Sequence, residues 1–488
     1  CKNLYEIFTC FFITRALELI ASNHEPSSWG RVRTHLDILI GASKILNPYR
    51  WKLSTYQILV LGFAGIILGG ALLLMTPLAS RDGSNLGFID ALFTATSAVC
   101  VTGLVVVDTG TYFSVFGQMV VLALIQVGGL GVMTVATLVA VLSGKKINLK
   151  ERLLIQEATN QLDLAGVVRL TLYIIRATLF IELLGGTILA VRWFQDFGTQ
   201  GIYFGYWHAV SAFCNAGFDL FGEFRSITGY VNDFTVNSAI AALIVVGGIG
   251  FPVVADLWNC RQSHRFSLHT KIVLMTTLAL IILGACFIFV AEYSNDKTLG
   301  ALPLEGKVLA SGFQSITTRT AGYNTLDIGA LREGTLFAMV FLMFIGASPS
   351  SMGGGVKTTT AAILFISLVG SITGKKDPQA FERQIPQQTV YKAFTIVTIS
   401  VMLISLVTLA MSFTEQVPLF SLLFEVTSAF GTVGLSTGIT PKLSDCGKVL
   451  ITLTMFAGRV GTLTLLMALA LRPRKERLKY PEGKIIIG

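Results

Sequence analysis

Residues 95–104 read Ala95-Thr96-Ser97-Ala98-Val99-Cys100-Val101-Thr102-Gly103-Leu104, a short uncharged stretch that closes on a glycine. The chain carries it again as Ala209-Val210-Ser211-Ala212-Phe213-Cys214-Asn215-Ala216-Gly217-Phe218 and as Val426-Thr427-Ser428-Ala429-Phe430-Gly431-Thr432-Val433-Gly434-Leu435. A more diverged copy, Gln314-Ser315-Ile316-Thr317-Thr318-Arg319-Thr320-Ala321-Gly322-Tyr323, lies between them. The closing glycines are 114, 105 and 112 residues apart. A second landmark follows each by 24 to 30 residues: Gly128-Gly129-Leu130-Gly131, Gly247-Gly248-Ile249-Gly250, Gly346-Ala347-Ser348 and Gly458-Arg459-Val460-Gly461. One such motif means little in a chain with 48 glycines, but joint recurrence in four consecutive units predicts an internal repeat.

Outward from these motifs, the chain is apolar. Hydrophobic residues make up 53% of its 488 positions and charged residues 13%, against about 25% in a typical soluble domain. So few charges cannot cover a water-soluble surface of this size, whereas lipid can replace water around a membrane protein. Uncharged runs at 53–80, 109–144, 234–255, 272–291, 334–356 and 393–414 are long enough to cross a hydrocarbon core of roughly 30 Å. Two further spans are less clean: 167–191 holds Arg169, Arg176 and Glu182, and 449–471 holds Arg459. The expected fold is an all-α polytopic membrane protein of eight transmembrane helices, arranged as four helix–pore-loop–helix repeats with pseudo-fourfold symmetry. The repeats fall at 53–144, 166–258, 268–374 and 389–471, flanked by an N-terminal appendage, 1–52, and a tail, 472–488.

The formal net charge of +9 follows topology rather than nucleic acid. Lys145, Lys146, Lys150 and Arg152, then Arg261, Arg265 and Lys271, then Lys375, Lys376, Arg383 and Lys392 fall on one side, with the basic tail from Arg472. Acids such as Asp82, Asp90, Asp108, Asp219 and Asp327 fall on the other. Positive loops stay in the cytoplasm, so both termini are expected there. The stretch 7–20 is too short to cross and carries Arg15 and Glu18, which suits an interfacial helix. Seven scattered cysteines form neither a disulfide framework nor a zinc pattern. The start at Cys1 is read first as a truncation.

A half-crossing segment can enter and return only where protein or a water-filled cavity shields its non-helical limb from lipid. Four such limbs around one axis can offer backbone carbonyls in place of a cation's hydration shell, with glycine permitting the turn. Asp108, Asp219 and Asp327, each within about five residues of a limb glycine, would enrich cations at the outer mouth or serve as loop caps. His208 and Glu425 on the short helices read as packing or capping groups, and Cys100 and Cys214 as small wall residues. Gly353-Gly354-Gly355-Val356-Lys357-Thr358 superficially suggests a phosphate loop, but its membrane setting lacks the strand-to-helix context. With no cluster of acid, base, nucleophile or metal ligands, the chain is not expected to be an enzyme.

These residues resemble the Trk/Ktr/HKT superfamily of potassium transporters, most closely the bacterial KtrB type, over about residues 53–488. The resemblance rests on Thr102-Gly103-Leu104 and the following Val105 to Gly110, on Ala212 to Phe218, on Thr317 to Asn324 and on Ser428 to Leu435. It implies a K⁺ selectivity filter built from Cys100, Val101, Thr102 and Gly103, Cys214, Asn215, Ala216 and Gly217, Thr320, Ala321 and Gly322, and Thr432, Val433 and Gly434. In the family a serine in place of the first filter glycine marks sodium-selective members, so Gly103 implies potassium. Residues 346–357, with Ala347, Ser348, Pro349, Gly353, Gly354, Gly355 and Lys357, correspond to an intramembrane gating loop. Pro349 and the three glycines depart from the usual form of that loop. Arg459 is implied as a positive barrier near the gate; a structural ion pair with Glu182 or Asp256 is the plainer alternative.

The resemblance further implies a membrane subunit of a potassium uptake system in the bacterial inner membrane, in contact with membrane lipid. K⁺ is the expected cargo, Na⁺ a candidate activator, and no nucleotide is expected on this chain. The partners implied are a second copy, forming a homodimer, and a cytoplasmic ring of RCK-type nucleotide-binding subunits. The tail's Lys479-Tyr480-Pro481-Glu482-Gly483 resembles the family's ending at the dimer interface. A sodium-coupled secondary transporter with alternating access is the competing reading, since broken helices also build that class.

Overall fold

The structure, a computed structural model, describes residues 54–131, 134–135, 137–138, 167–263, 266–374 and 377–469. The expectations for the appendage 1–52, the basic loop 144–152, Lys375, Lys376 and the tail 472–488 lie outside these residues.

Helices dominate. In chain order they are α1 (Thr55–Leu74), α2 (Phe88–Val99), α3 (Val115–Leu130), α4 (Val167–Phe197), α5 (Thr199–Phe213), α6 (Phe234–Ile249), α7 (Phe251–Ser263), α8 (Leu268–Glu292), α9 (Leu304–Thr317), α10 (Glu333–Phe344), α11 (Thr358–Ile372), α12 (Gln387–Thr414), α13 (Leu419–Gly431), α14 (Asp445–Val460) and α15 (Thr462–Leu469). The ribbon Gln379–Ala380 and Arg383–Gln384 pairs antiparallel between α11 and α12. By length and composition, four helices among the described residues can cross a membrane, or six if each bent pair is one span. Side chains that would cost free energy in water stand outward on them, Phe413 82% and Val290 76% exposed, as lipid-facing positions do.

Local chemistry sets the helix ends. Ser54 opens α1 with a capping box: its hydroxyl accepts from Gln57 N at 3.2 Å while Gln57 Oε1 accepts from Ser54 N at 3.0 Å. Ser114, Asp233, Ser267 and Ser444 cap α3, α6, α8 and α14 in the same one-sided sense, each side chain accepting a first-turn N–H. At their far ends α3, α6 and α14 stop on Gly131, Gly250 and Gly461, with φ of +85°, +98° and +91°. Such angles suit glycine alone, and the chain leaves in a new direction.

This corrects three expected spans. Residues 109–144 do not form one helix: a single turn, Thr109–Tyr112, and the extended Phe113 precede α3, which ends at Gly131. The span 234–255 is bent by 98° between α6 and α7, and 449–471 by 97° between α14 and α15, which begins four residues before that span at Asp445. The apolar count ran straight across these glycines because composition does not register backbone angle. The interruption after 345 is present: α10 ends at Phe344 and α11 starts at Thr358.

Candidate functional site

The four short helices α2, α5, α9 and α13 each lead into one of the repeated glycine stretches. In every copy the residue two before the glycine has positive φ, Val101 (+57°), Asn215 (+60°), Thr320 (+75°) and Thr432 (+51°), and so does the glycine itself. A β-branched residue in that region is a genuine outlier, and three of these four are β-branched. Strain recurring at one register in four places implies that the surroundings dictate the turn.

Those surroundings are the other limbs. A Cβ added to Gly103 would strike Ala216 O and stand 3.3 Å from Gly217 Cα. One on Gly217 would lie 2.5 Å from Ala321 O, and one on Gly322 2.5 Å from Val433 O. One on Gly434 would strike Thr102 O and stand 3.0 Å from Gly103 Cα. Each glycine thus abuts the carbonyl just before the next glycine, and the fourth returns to the first. The limbs close a ring in chain order. All fourteen expected filter residues lie in these four limbs and are buried.

Side chains fasten the ring. Ser97 and Ser428 hydroxyls accept from Gly103 N and Gly434 N, both at 3.1 Å. In the other two limbs, hydroxyls donate instead, Ser211 to Phe218 O at 2.9 Å and Thr317 to Tyr323 O at 2.6 Å. Asn215 and Thr320 hydrogen-bond between limbs at 3.1 Å, and Tyr323 Oη donates to Phe218 O at 2.7 Å. Thr102 Oγ1 is buried without a protein partner among the described residues. His208 is a fastener too: its Nε2 accepts from Leu220 N at 3.2 Å and its Nδ1 lies 2.7 Å from Phe204 O, so it carries no chemistry of its own. Glu425 accepts from the Thr440 hydroxyl.

The second landmark explains itself physically in three copies. A Cβ on Gly128, Gly247 or Gly458 would collide with Val99 O, Phe213 O or Phe430 O, at or next to the end of the preceding short helix. In the third copy Gly346 faces Gly354 O instead, because the loop 346–357 folds back there. Many bonds hold that loop. Gly346 N donates to Val356 O (2.8 Å), Ser348 N to Gly248 O (3.0 Å), Met352 N to Gly247 O (3.1 Å), Gly354 N to Thr432 Oγ1 (2.9 Å) and Gly355 N to Gly458 O (3.3 Å). Lys357 Nζ donates to Gly353 O at 2.6 Å. Ala347, Ser348, Gly353 and Gly354 are buried, and Pro349 and Gly355 partly so. A Cβ on Gly353 would stand 2.6 Å from Ala347 Cβ and would collide with Thr320 Oγ1, so the loop lies directly against two limbs.

Arg459 contradicts the ion-pair alternative. Its guanidinium donates to three carbonyls, those of Met352, Gly128 and Gly129, and to no carboxylate. The four ion pairs among the described residues are elsewhere: Arg192 with Asp196 and Asp233, Arg225 with Glu223, and Lys448 with Asp90. Glu182 accepts from Gln126 Nε2 at 3.2 Å and lies 3.9 Å from Cys214 Sγ, while Asp256 accepts from Ser267 N and Thr270 Oγ1. One arginine therefore ties the loop to α3 across the α14 kink.

Of the three mouth acids, all act as turn caps: Asp108 accepts from Gly110 N and Thr111 N, Asp219 from Phe221 N, and Asp327 from Gly329 N. Asp108 also accepts from Phe224 N at 2.7 Å, joining the first and second mouth loops. Burial, and then the neighbouring Asp108 carboxylate, push Asp219 up to about 7. Met352, Gln126 and Lys392 escaped the sequence reading. A glutamine three positions inside a glycine kink of an apolar helix was the available signal for Gln126; nothing local marks the other two.

Against known proteins, residues 53–480 match the TrkH family, described as cation transport protein. Ktr system potassium uptake protein B of Bacillus subtilis (strain 168) is 44% identical over 433 residues, covering 88% of this chain and 96% of that protein. Potassium/sodium uptake protein NtpJ of Enterococcus hirae is 38% identical over 446 residues, covering 90% and 98%. The crystal structure of the potassium transporter TrkH from Vibrio parahaemolyticus matches at a TM-score of 0.68 over 96% of each chain, at 17% identity, a likeness of fold.

Proposed function

The chain belongs to the TrkH family of cation transport proteins, and from that premise we propose that it is the membrane subunit of a potassium uptake system. K⁺ crosses through one central pore, and the four limbs are its filter. The observation that carries this is the closed ring, in which every limb glycine abuts the carbonyl before the next. Four limbs with the same left-handed turns can present carbonyl oxygens, and the unbonded Thr102 hydroxyl, to a cation that sheds its water. On this reading the chain has four repeats at the boundaries given above, eight crossings and a pseudo-fourfold axis through the ring. The broken spans count as single crossings, because a kink at membrane depth is tolerated where its freed backbone groups are bonded within protein.

The loop 346–357 and Arg459 form the gate. Arg459 carries an uncompensated charge held by three carbonyls, each charge-assisted bond worth about 1.5–3 kcal/mol, so it is fixed as a positive barrier. The names of the relatives in Bacillus subtilis and Enterococcus hirae support K⁺ as cargo, with Na⁺ as an activator or second cargo. The word system in the first supports a multi-component assembly, which we assign to a homodimer of this chain on a cytoplasmic RCK-type ring, in a bacterial inner membrane.

The test is ⁸⁶Rb⁺ uptake in cells lacking their own K⁺ uptake. Alanine at Gly103, Gly217, Gly322 or Gly434 should abolish uptake with membrane insertion intact, whereas alanine at Gly334, where an added Cβ meets nothing within 4 Å, should not. Full uptake by any two ring variants would refute the filter assignment. The bent helices also suit a sodium-coupled transporter with alternating access, which is separated below by its need for a sodium gradient.

A further inference from the structure

The loop, the kinks at Gly131 and Gly461, α1 and α12 enclose a cavity of about 590 Å³. Its described lining contains three cations, Lys357, Lys392 and Arg459, and no aspartate or glutamate. A space on a cation pathway that served the cation alone would be expected to carry the opposite sign.

The cations keep donors in reserve. Lys357 Nζ gives bonds to Gly353 O at 2.6 Å and Gly354 O at 3.5 Å, which leaves one of its three. Arg459 gives three of its five, to Met352, Gly128 and Gly129 carbonyls, which leaves two without a protein partner among the described residues. Carbonyl bonds orient a charge but do not neutralise it. Two like charges at membrane depth, sharing one cavity and no counter-charge, call for an anion.

The fold adds to this field. Lys357 is the N-cap of α11, a 15-residue helix that has no side-chain cap, so its first turn brings a partial positive charge to the same cavity. Thr134, Thr360 and Thr462 supply hydroxyls to the wall. Leu59, Phe63, Ile396 and Met467 make another part of the wall apolar. That combination matches a phosphate oxyanion, either free or at the head of an anionic phospholipid whose chains lie on the apolar part.

We propose that this cavity is a regulatory site for a phosphate-class anion, held by Lys357, Lys392 and Arg459, whose binding offsets the positive barrier and raises cation flux. Binding itself is independent of the pore reading; only the effect on flux rests on it.

The experiment uses the full chain reconstituted in phosphatidylcholine. Inorganic phosphate is titrated in one arm and phosphatidylglycerol is added to the bilayer in the other, with the unfolding midpoint and ⁸⁶Rb⁺ flux read in both. A saturable rise in midpoint with phosphate is expected. Lys392→Gln, at an exposed position outside the gate, should raise the half-saturating concentration about tenfold, the loss of one charge-assisted hydrogen bond. If the lipid headgroup is the natural occupant, phosphatidylglycerol raises the midpoint and phosphate then adds nothing. Midpoints indifferent to both probes, or shifted equally in wild type and Lys392→Gln, overturn the site. Absence of ⁸⁶Rb⁺ flux under every condition would refute the pore instead, and the midpoints would still decide the anion.

Discussion

Serine at Gly103 should cost both stability and discrimination between K⁺ and Na⁺, by amounts that follow from the ring. Gly103 has φ +90°, beyond even the left-handed region in which other residues sometimes sit. Holding a side chain there costs about 1–3 kcal/mol. The new Cβ would also collide with Ala216 O and lie 3.3 Å from Gly217 Cα, backbone atoms that cannot rotate away. The first two limbs must separate by on the order of 1 Å to restore ordinary van der Waals contact. A carbonyl ring so opened fits the larger ion less selectively, and each 1.4 kcal/mol lost from the K⁺ preference is tenfold in the ratio. We expect the ⁸⁶Rb⁺ to ²²Na⁺ permeability ratio, measured by competition in proteoliposomes, to fall at least about tenfold. Gly334→Ala, in open space, should leave it unchanged. A Gly103→Ser protein that inserts, transports and keeps its ratio would show that Gly103 is not part of the filter.

Three further outcomes are expected. Arg459→Ala frees Met352 O and removes a unit charge, which within about 10 Å of a cation at an effective dielectric of about 20 is worth roughly 2 kcal/mol; flux should rise about tenfold, as it should on shortening 347–355, and loss of transport in both properly inserted variants would count against a gate. Asp219, held protonated up to about pH 7 against an ordinary 3.8, binds more protons folded than unfolded, so its contribution to stability declines as pH rises from about 4 through 7. Its ionisation should raise ⁸⁶Rb⁺ flux at low concentration between pH 6 and 8, and Asp219→Asn should flatten that profile; an identical profile in the variant rejects the role. Deleting 473–488 should abolish co-purification with an RCK-type ring, a result contradicted if the shortened chain still brings down the ring.

Much of this was legible because the sequence repeats itself. A glycine with fixed spacing from a second glycine cluster located all four limbs before any coordinate, and the same two landmarks prove to touch neighbouring limbs and neighbouring short helices. What escaped was backbone direction. Gly250 and Gly461 lie in runs as apolar as any continuous helix, so hydropathy passed over right-angle bends that only φ reveals. Partner choice escaped as well. Arg459 at membrane depth suggested a carboxylate, and Glu182 was near in character; the structure instead surrounds the guanidinium with carbonyls freed by the kink of α3 and by the loop, groups that no residue letter announces.

The central claim is that a closed ring of four limbs makes a K⁺-selective pore. It is tested most directly by ⁸⁶Rb⁺ entry into proteoliposomes loaded with K⁺, with Na⁺ absent from both sides. A pore predicts electrogenic, saturable ⁸⁶Rb⁺ uptake that is suppressed by external K⁺ and barely by external Na⁺. Uptake that appears only when an inward Na⁺ gradient is imposed, with ²²Na⁺ entering in fixed proportion, would contradict the pore and establish a coupled transporter.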